Sequence, residues 1–176
     1  MIHGRFQPFH LEHLRYFRIA WERSETVIVG ITNPDPAAIL EDPLSDHRHR
    51  LPDNPFTFTE RLMMIQETLL DEGIPLDRVL IVPFPVHHPD RWKHYVPDET
   101  VMFVVSYSDW ERDKARRMRE AGYDVIEINT LEKGIAGRDV RAAIESRGDW
   151  ESLVPPAVER VVKELRDPPL NSGGAI

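Results

Sequence analysis

Apolar positions along the chain follow two kinds of pattern. Residues 26–32 (TVIVGIT), 79–83 (VLIVP) and 100–106 (TVMFVVS) are short, β-branched and nearly continuous in hydrophobicity. Strands buried on both faces read this way. Residues 123–128 (YDVIEI) alternate more and predict a weaker strand, and residues 1–5 predict a short one at the start. Between these runs the period changes. Leu11, Leu14, Phe17 and Trp21 recur at three- or four-residue spacing, as do Leu62, Ile65 and Leu69, which predicts amphipathic helices. Thr57 with Glu60 three residues on forms a capping-box pattern for the second helix, and Gly73 ends it. Asp109 is placed to cap a helix that runs through Arg119 and stops at Gly122. Gly137 opens another to about Arg147, and Pro155 or Pro156 starts the last.

The predicted order is β-α-β-α-β-loop-β-α-β-loop-α-α. Strand–helix alternation of this kind implies an α/β fold: a single doubly wound, Rossmann-like domain around a mostly parallel five-stranded sheet. Residues 1–166 are expected to form that domain, with 167–176 a flexible tail. Ligands in such folds bind where the carboxyl ends of strands meet helix N-termini. Two long irregular stretches, 33–56 and 84–98, follow strands at that edge.

Composition narrows the classes of partner. Asp and Glu number 30 against 22 Lys and Arg, for a formal charge of −8, so nucleic acid and anionic membrane are not expected as partners. A small anionic substrate would need local Arg, His and backbone N–H groups. Cysteine is absent, which excludes disulfides, thiolate metal sites and cysteine nucleophiles. No run reaches the ~20 apolar residues of a membrane span, and the start shows no basic-then-apolar leader. A cytoplasmic protein is the expectation.

The chemistry concentrates in GRFQPFHLEH, residues 4–13, which runs from the first strand into the first helix. His10 and His13 are three apart, so both project from roughly one helix face. The free N–H groups and positive dipole end of that turn favour an anion. Two imidazoles with Arg5 at this point can stabilise charge developing on a phosphoryl group. On spacing alone, two surface imidazoles account for the pair equally well, and a metal pair lacks supporting carboxylates.

Taken whole, the segment resembles the signature of the HxGH nucleotidyltransferase superfamily, and GRFQPFH is similar to archaeal-type nicotinamide-mononucleotide adenylyltransferases. Four further stretches resemble that group in the right order: NPFTFTER (54–61), RWKHYV (91–96), GIAGRDVR (134–141) and WESLVP (150–155). The resemblance implies direct in-line transfer of a nucleoside monophosphate from a nucleoside triphosphate to an acceptor phosphate, with release of pyrophosphate. It implies that His10, His13 and Arg5 act on the phosphates, with Gly4, Phe6 and Gln7 beside the nucleotide. Gly137, Arg138 and Arg141 are implied to cradle the β- and γ-phosphates. Mg²⁺ is implied as cofactor, held largely by phosphates and water. On the acceptor side, Trp92 is implied to stack on a nicotinamide ring, with Asn54 and Arg61 nearby. Relatives of this type assemble, which leaves a homo-oligomer open.

Three features depart from the pattern. Glu12 stands where HxGH has Gly, adding bulk and negative charge beside a polyanion. Ala136 and Arg138 replace the hydroxyl residues of the phosphate loop, so two neutral donors are lost and a cationic fork is gained. The link before residue 54 is long and carries DHRHR at 46–50, whose Arg48 and Arg50 suit an acceptor phosphate, phosphonate or carboxylate. A solvated charged loop is the plain alternative. His87 and His88, in the other long loop, are further candidate acceptor contacts. Three functions therefore stand: ATP with nicotinamide mononucleotide giving NAD; cytidylyl or adenylyl transfer to another small phosphate or phosphonate; and a nucleotide-sensing module that has lost catalysis.

Overall fold

Alternation along five strands sorts their side chains onto two faces. In the computed structural model, which describes residues 1–41, 49–106, 109–129 and 134–166, the strands are β1 (Ile2–Gly4), β2 (Val27–Thr32), β3 (Val79–Phe84), β4 (Met102–Val105) and β5 (Val125–Ile128). Ile2, Val27, Val29, Ile31, Phe103 and Ile128 enter one core, whereas Met1, Phe84, Met102 and Val104 enter another. The helices are α1 (Leu11–Trp21), α2 (Phe58–Asp71), α3 (Asp109–Glu120), α4 (Gly137–Glu145) and α5 (Pro156–Arg166). Helices α1, α2, α4 and α5 supply the first core; α3 and the turn Pro89–His94 supply the second through Ala115, Met118 and Trp92. Both faces are thus covered, as the continuous apolar runs require.

The expected single five-stranded sheet is corrected. Pairing forms a three-stranded parallel ladder ordered β1-β2-β3 and a separate parallel ladder of β4 and β5. The reason lies in β1, which is three residues long and pairs along its length with β2. Beside β4, hydrogen bonds run from Met1, whose carbonyl accepts from the Phe103 amide at 2.8 Å and whose ammonium donates to the Val101 carbonyl at 2.6 Å.

Local signals behave as chemistry predicts. Thr57 Oγ1 accepts from the Glu60 amide at 3.2 Å, and the Glu60 carboxylate accepts from the Thr57 amide at 2.7 Å, completing the capping box of α2. Gly73 and Gly122 follow α2 and α3 with φ of 69° and 94°. Arg48 and the tail 167–176 lie outside the described residues. Among the described residues, no helix is long and apolar enough to cross a membrane.

Candidate active site

The carboxyl ends of β1 and β2, the N-terminus of α1 and the N-terminus of α4 converge on one mouth. His10 precedes α1 with extended backbone, and His13 lies in its first turn. Their rings stack with centroids 3.6 Å apart and planes at 24°. Phe6 meets the His13 ring edge-on at 4.9 Å, and Phe9 stacks on it at 5.7 Å. The His13 Nδ1 accepts from the His10 amide at 3.3 Å. The His10 Nδ1 is buried without a hydrogen-bond partner, in a residue only 4% exposed.

Burial holds both imidazoles neutral. It lowers the His10 pKa to about 4, against a weaker upward pull from Asp139. The His13 pKa lies well below the ordinary value, first because of burial and then because of His10 and Arg5 nearby. Two neutral rings in van der Waals contact are compatible; two imidazolium ions there would not be. A buried nitrogen left without a partner is the kind of exception that a ligand explains.

Arginines supply the positive charge. Arg141 of α4 is 7% exposed; its Nη1 donates to the Gln7 carbonyl at 2.9 Å, and its Nη2 pairs with the Asp53 carboxylate. Arg5 Nη1 donates to the Asp53 carbonyl at 3.2 Å. Gly137 opens α4 so close to Gln7 that a Cβ would sit 3.1 Å from the Gln7 carbonyl oxygen, so a side chain there would crowd the junction. Arg138 is exposed and pairs with Asp139 at 3.1 Å. Gly4 lies against the Phe6 ring, within 2.9 Å of a Cβ built on it.

Several residues expected to touch substrate are engaged with other groups of the chain. The Gln7 amide pairs at both ends with the Phe56 backbone, each bond 2.9 Å, so its side chain positions the strap 50–56 instead of a nucleotide. Phe6 is 1% exposed, and its ring belongs to the core. Arg61 is 1% exposed and donates to the carbonyls of Thr57, Arg5, Thr32 and Asn33 at 2.7–3.0 Å. It ties α2 to the ends of β1 and β2, and burial lowers its pKa to about 10, so it remains a cation at neutral pH. Trp92 is not presented to a ligand. Its ring is 1% exposed, packs on Phe84 at 5.2 Å and Tyr123 at 6.4 Å, and donates its indole N–H to the Pro85 carbonyl at 2.9 Å.

Asn54 remains at the mouth, accepting from Asn33 Nδ2 at 3.3 Å and donating to the Arg50 carbonyl at 2.8 Å, while the Arg50 side chain is exposed. Glu12 points toward the loop that enters α4: a Cβ on Gly134 would come within 2.6 Å of its carboxylate. Its ion pair with Arg15 is long, at 3.7 Å. Sequence reasoning missed Asp53, whose partner Arg141 is 88 residues away, and Asn33, whose φ of 51° follows directly on β2. The only local hint was a charged residue beside the NPFT stretch. Among the described residues, no group of three or more His, Asp or Glu is placed to cage a metal ion.

Residues 1–132 match the cytidylyltransferase-like family. The chain is 43% identical over 165 residues to the phosphonoformate cytidylyltransferase of Streptomyces viridochromogenes, covering 93% of this chain and 90% of that one. It is 32% identical over 167 residues to the nicotinamide-nucleotide adenylyltransferase of Saccharolobus solfataricus, covering 93% and 88%. A crystal structure of a bifunctional NMN adenylyltransferase/ADP ribose pyrophosphatase from Francisella tularensis superposes with a TM-score of 0.64 at 23% identity. The alignment takes in 94% of this chain and 48% of that longer one, and shows the shared Rossmann-like fold. With such likeness along most of its length, the chain belongs to the cytidylyltransferase-like family, within the HxGH superfamily, and is a nucleotidyltransferase.

Proposed function

We propose that the chain transfers CMP from CTP to an oxyanion of a small phosphonate or phosphate acceptor, releasing pyrophosphate. The observation that carries this choice of acceptor is the burial of Trp92, which leaves no indole face for a nicotinamide ring. The relationship to a phosphonoformate cytidylyltransferase supports it. Glu12 in place of the motif glycine supports a changed nucleotide preference.

In this reading an acceptor oxygen attacks the α-phosphorus in line, the new P–O bond forms as the α–β bridge breaks, and the electron pair leaves on pyrophosphate. Catalysis of this kind is mostly positioning and electrostatics. In this reading the His10 ring and the second His13 nitrogen would donate to oxygens of the transferring phosphoryl group. Arg141, Arg5 and Arg138 hold the departing phosphates at the N-terminus of α4. Magnesium would enter with the triphosphate, held largely by phosphate oxygens and water. Arg50 and Asn54 on the strap would face the acceptor.

Adenylyl transfer to nicotinamide mononucleotide is the second reading, supported by the relative in Saccharolobus solfataricus. Pyrophosphate release, measured for four nucleoside triphosphates against phosphonoformate, simple phosphonates and nicotinamide mononucleotide, separates the two. CTP with a small phosphonate is expected to exceed every other pair about tenfold in kcat/KM. ATP with nicotinamide mononucleotide leading by that margin would establish the second reading instead. The Glu12→Gly variant in the same panel is expected to lose nucleotide discrimination.

A further inference from the structure

We propose that Asp53 is a built-in stand-in for phosphate: its carboxylate holds Nη2 of Arg141 until a triphosphate takes that place, which ties the strap 50–56 to nucleotide binding. The inference rests on the nucleotidyl-transfer reading of Arg141 and Arg5, and adds to it a residue that reading does not assign.

Two arginines at the mouth converge on this one residue. Arg141 Nη2 meets the Asp53 carboxylate and Arg5 Nη1 meets the Asp53 carbonyl at 3.2 Å. The contacts reach Asp53 from α4 and from the end of β1. Asp53 closes the short turn Leu51–Asp53, and Asn54 beside it is held by Asn33 and by the Arg50 carbonyl. Two residues further, Phe56 is locked by the paired amide bonds of Gln7. The strap is therefore pinned at its far end by neutral bonds that a substrate does not contest. At its near end it is pinned by ionic bonds to groups that phosphate would claim.

The chemistry makes carboxylate and phosphate competitors. Both offer an anionic oxygen to a guanidinium nitrogen in a charge-assisted bond; here Asp53 engages Nη2, while Nη1 stays on the Gln7 carbonyl. The Arg141 side chain is 8% exposed, so leaving it without an anion in the nucleotide-free protein would be unfavourable. Asp53, 22% exposed, supplies that anion from the end of the single 3-10 turn Leu51–Asp53, outside the α-helices and strands. A triphosphate carries more charge than one carboxylate and displaces it. Once displaced, Asp53 faces the phosphates as a like charge, and the strap bearing Arg50 and Asn54 shifts with it. Nucleotide and acceptor affinities are then coupled through one residue, and by linkage the coupling is reciprocal.

The opposite role, in which Asp53 stays in place and orients Arg141 toward phosphate, makes the opposite forecast. Titration calorimetry on the full chain with CTP and with inorganic tripolyphosphate separates the two. Asp53→Asn and Asp53→Ser are expected to bind both ligands about tenfold tighter, and their thermal midpoints without ligand to fall. In an Arg141→Gln background the same substitutions are expected to leave affinity unchanged, because the contest has lost its object. Weaker or unchanged binding in both single variants, with the wild type binding normally, overturns the proposal and leaves the nucleotidyl-transfer reading intact. A wild type that binds neither CTP, ATP nor tripolyphosphate overturns that reading as well.

Discussion

Arg61→Met tests whether a buried arginine holds the mouth of the site together. The substitution keeps most of the aliphatic stem and removes the guanidinium. In the native fold four of its N–H···O=C bonds reach Thr57 at 3.0 Å, Arg5 at 2.8 Å, Thr32 at 2.7 Å and Asn33 at 2.9 Å. The bonds to Thr32 and Asn33 are fully buried, so their carbonyls cannot turn to water, whereas the other two are partly accessible. A buried acceptor left unpaired costs about 1–3 kcal/mol, so the two inner carbonyls alone give about 2–6 kcal/mol. Removing the guanidinium also removes its own desolvation cost, which offsets part of this. The expected net loss is about 2–5 kcal/mol, a large share of the ~5–15 kcal/mol that stabilises a typical domain. Urea unfolding at neutral pH should show a lower midpoint at an unchanged slope. Arg61→Lys should recover little of the loss, since one ammonium cannot span carbonyls on two strand ends and a helix. A phosphate-binding Arg61 would instead raise KM and leave stability within about 0.5 kcal/mol. That pattern would refute the structural role.

Two further outcomes are expected. His13→Ala should lower the rate of pyrophosphate release about 10²–10³-fold, the range for losing one donor to a developing oxyanion, while nucleotide binding stays measurable by calorimetry; near-normal release would remove the imidazole from the chemistry. Stability should fall as pH drops from about 6.5 toward 4, because the unfolded chain takes up protons on His10 that the folded chain refuses until about pH 4. His10 alone accounts for about 3 kcal/mol over that window, and His3 and His13, whose folded values are also lowered by burial, add loss of the same sign. The buried amino terminus, lowered to about 6, adds its share between pH 8 and 6. Carboxylates such as Asp113 and Glu127, whose folded pKa values are lowered, act only at more acid pH. Urea midpoints that stay flat between pH 7 and 5 would contradict the burial of these groups.

The sequence was legible where the physics is local. A capping box needs Thr57 and Glu60 three residues apart, and an N-cap His10 meets His13 in the first turn at the same spacing, although His10 itself precedes the helix. Strand β2 announces itself because residues buried on both sides must be apolar without interruption, whereas β3, equally apolar, is an edge strand with Leu80 54% exposed. The destinations of long side chains were not legible. Gln7 finds Phe56 49 residues on, and Arg61 reaches Arg5 56 residues back. Nothing in the local sequence distinguishes an arginine that binds phosphate from one that binds carbonyls. The burial of Trp92 was not legible for a related reason: its indole N–H has a partner seven residues away at Pro85, which lets the ring sink into the core with its polar edge satisfied. The division of the sheet was hidden in the length of β1, since apolar pattern marks a strand but not how many ladder bonds remain for a second neighbour.

The stacked imidazoles limit what the mouth can do with protons. At a centroid distance of 3.6 Å the pair can carry one positive charge but not two, because a second would meet the first across a dry contact, with Arg5 beside it. Without ligand, burial leaves it with none. A triphosphate supplies the missing counter-charge and makes a single imidazolium affordable, so the pair should titrate as a unit whose value rises on binding. Asp139, the one group that raises the His10 pKa in the free protein, sits in the first turn of α4 beside the proposed phosphate cradle. Whichever ring holds the proton, the other remains a neutral N–H donor. One charge and one neutral donor on adjacent rings match a reaction in which one negative charge passes from the attacking acceptor oxygen, across the transferring phosphoryl group, to the departing pyrophosphate.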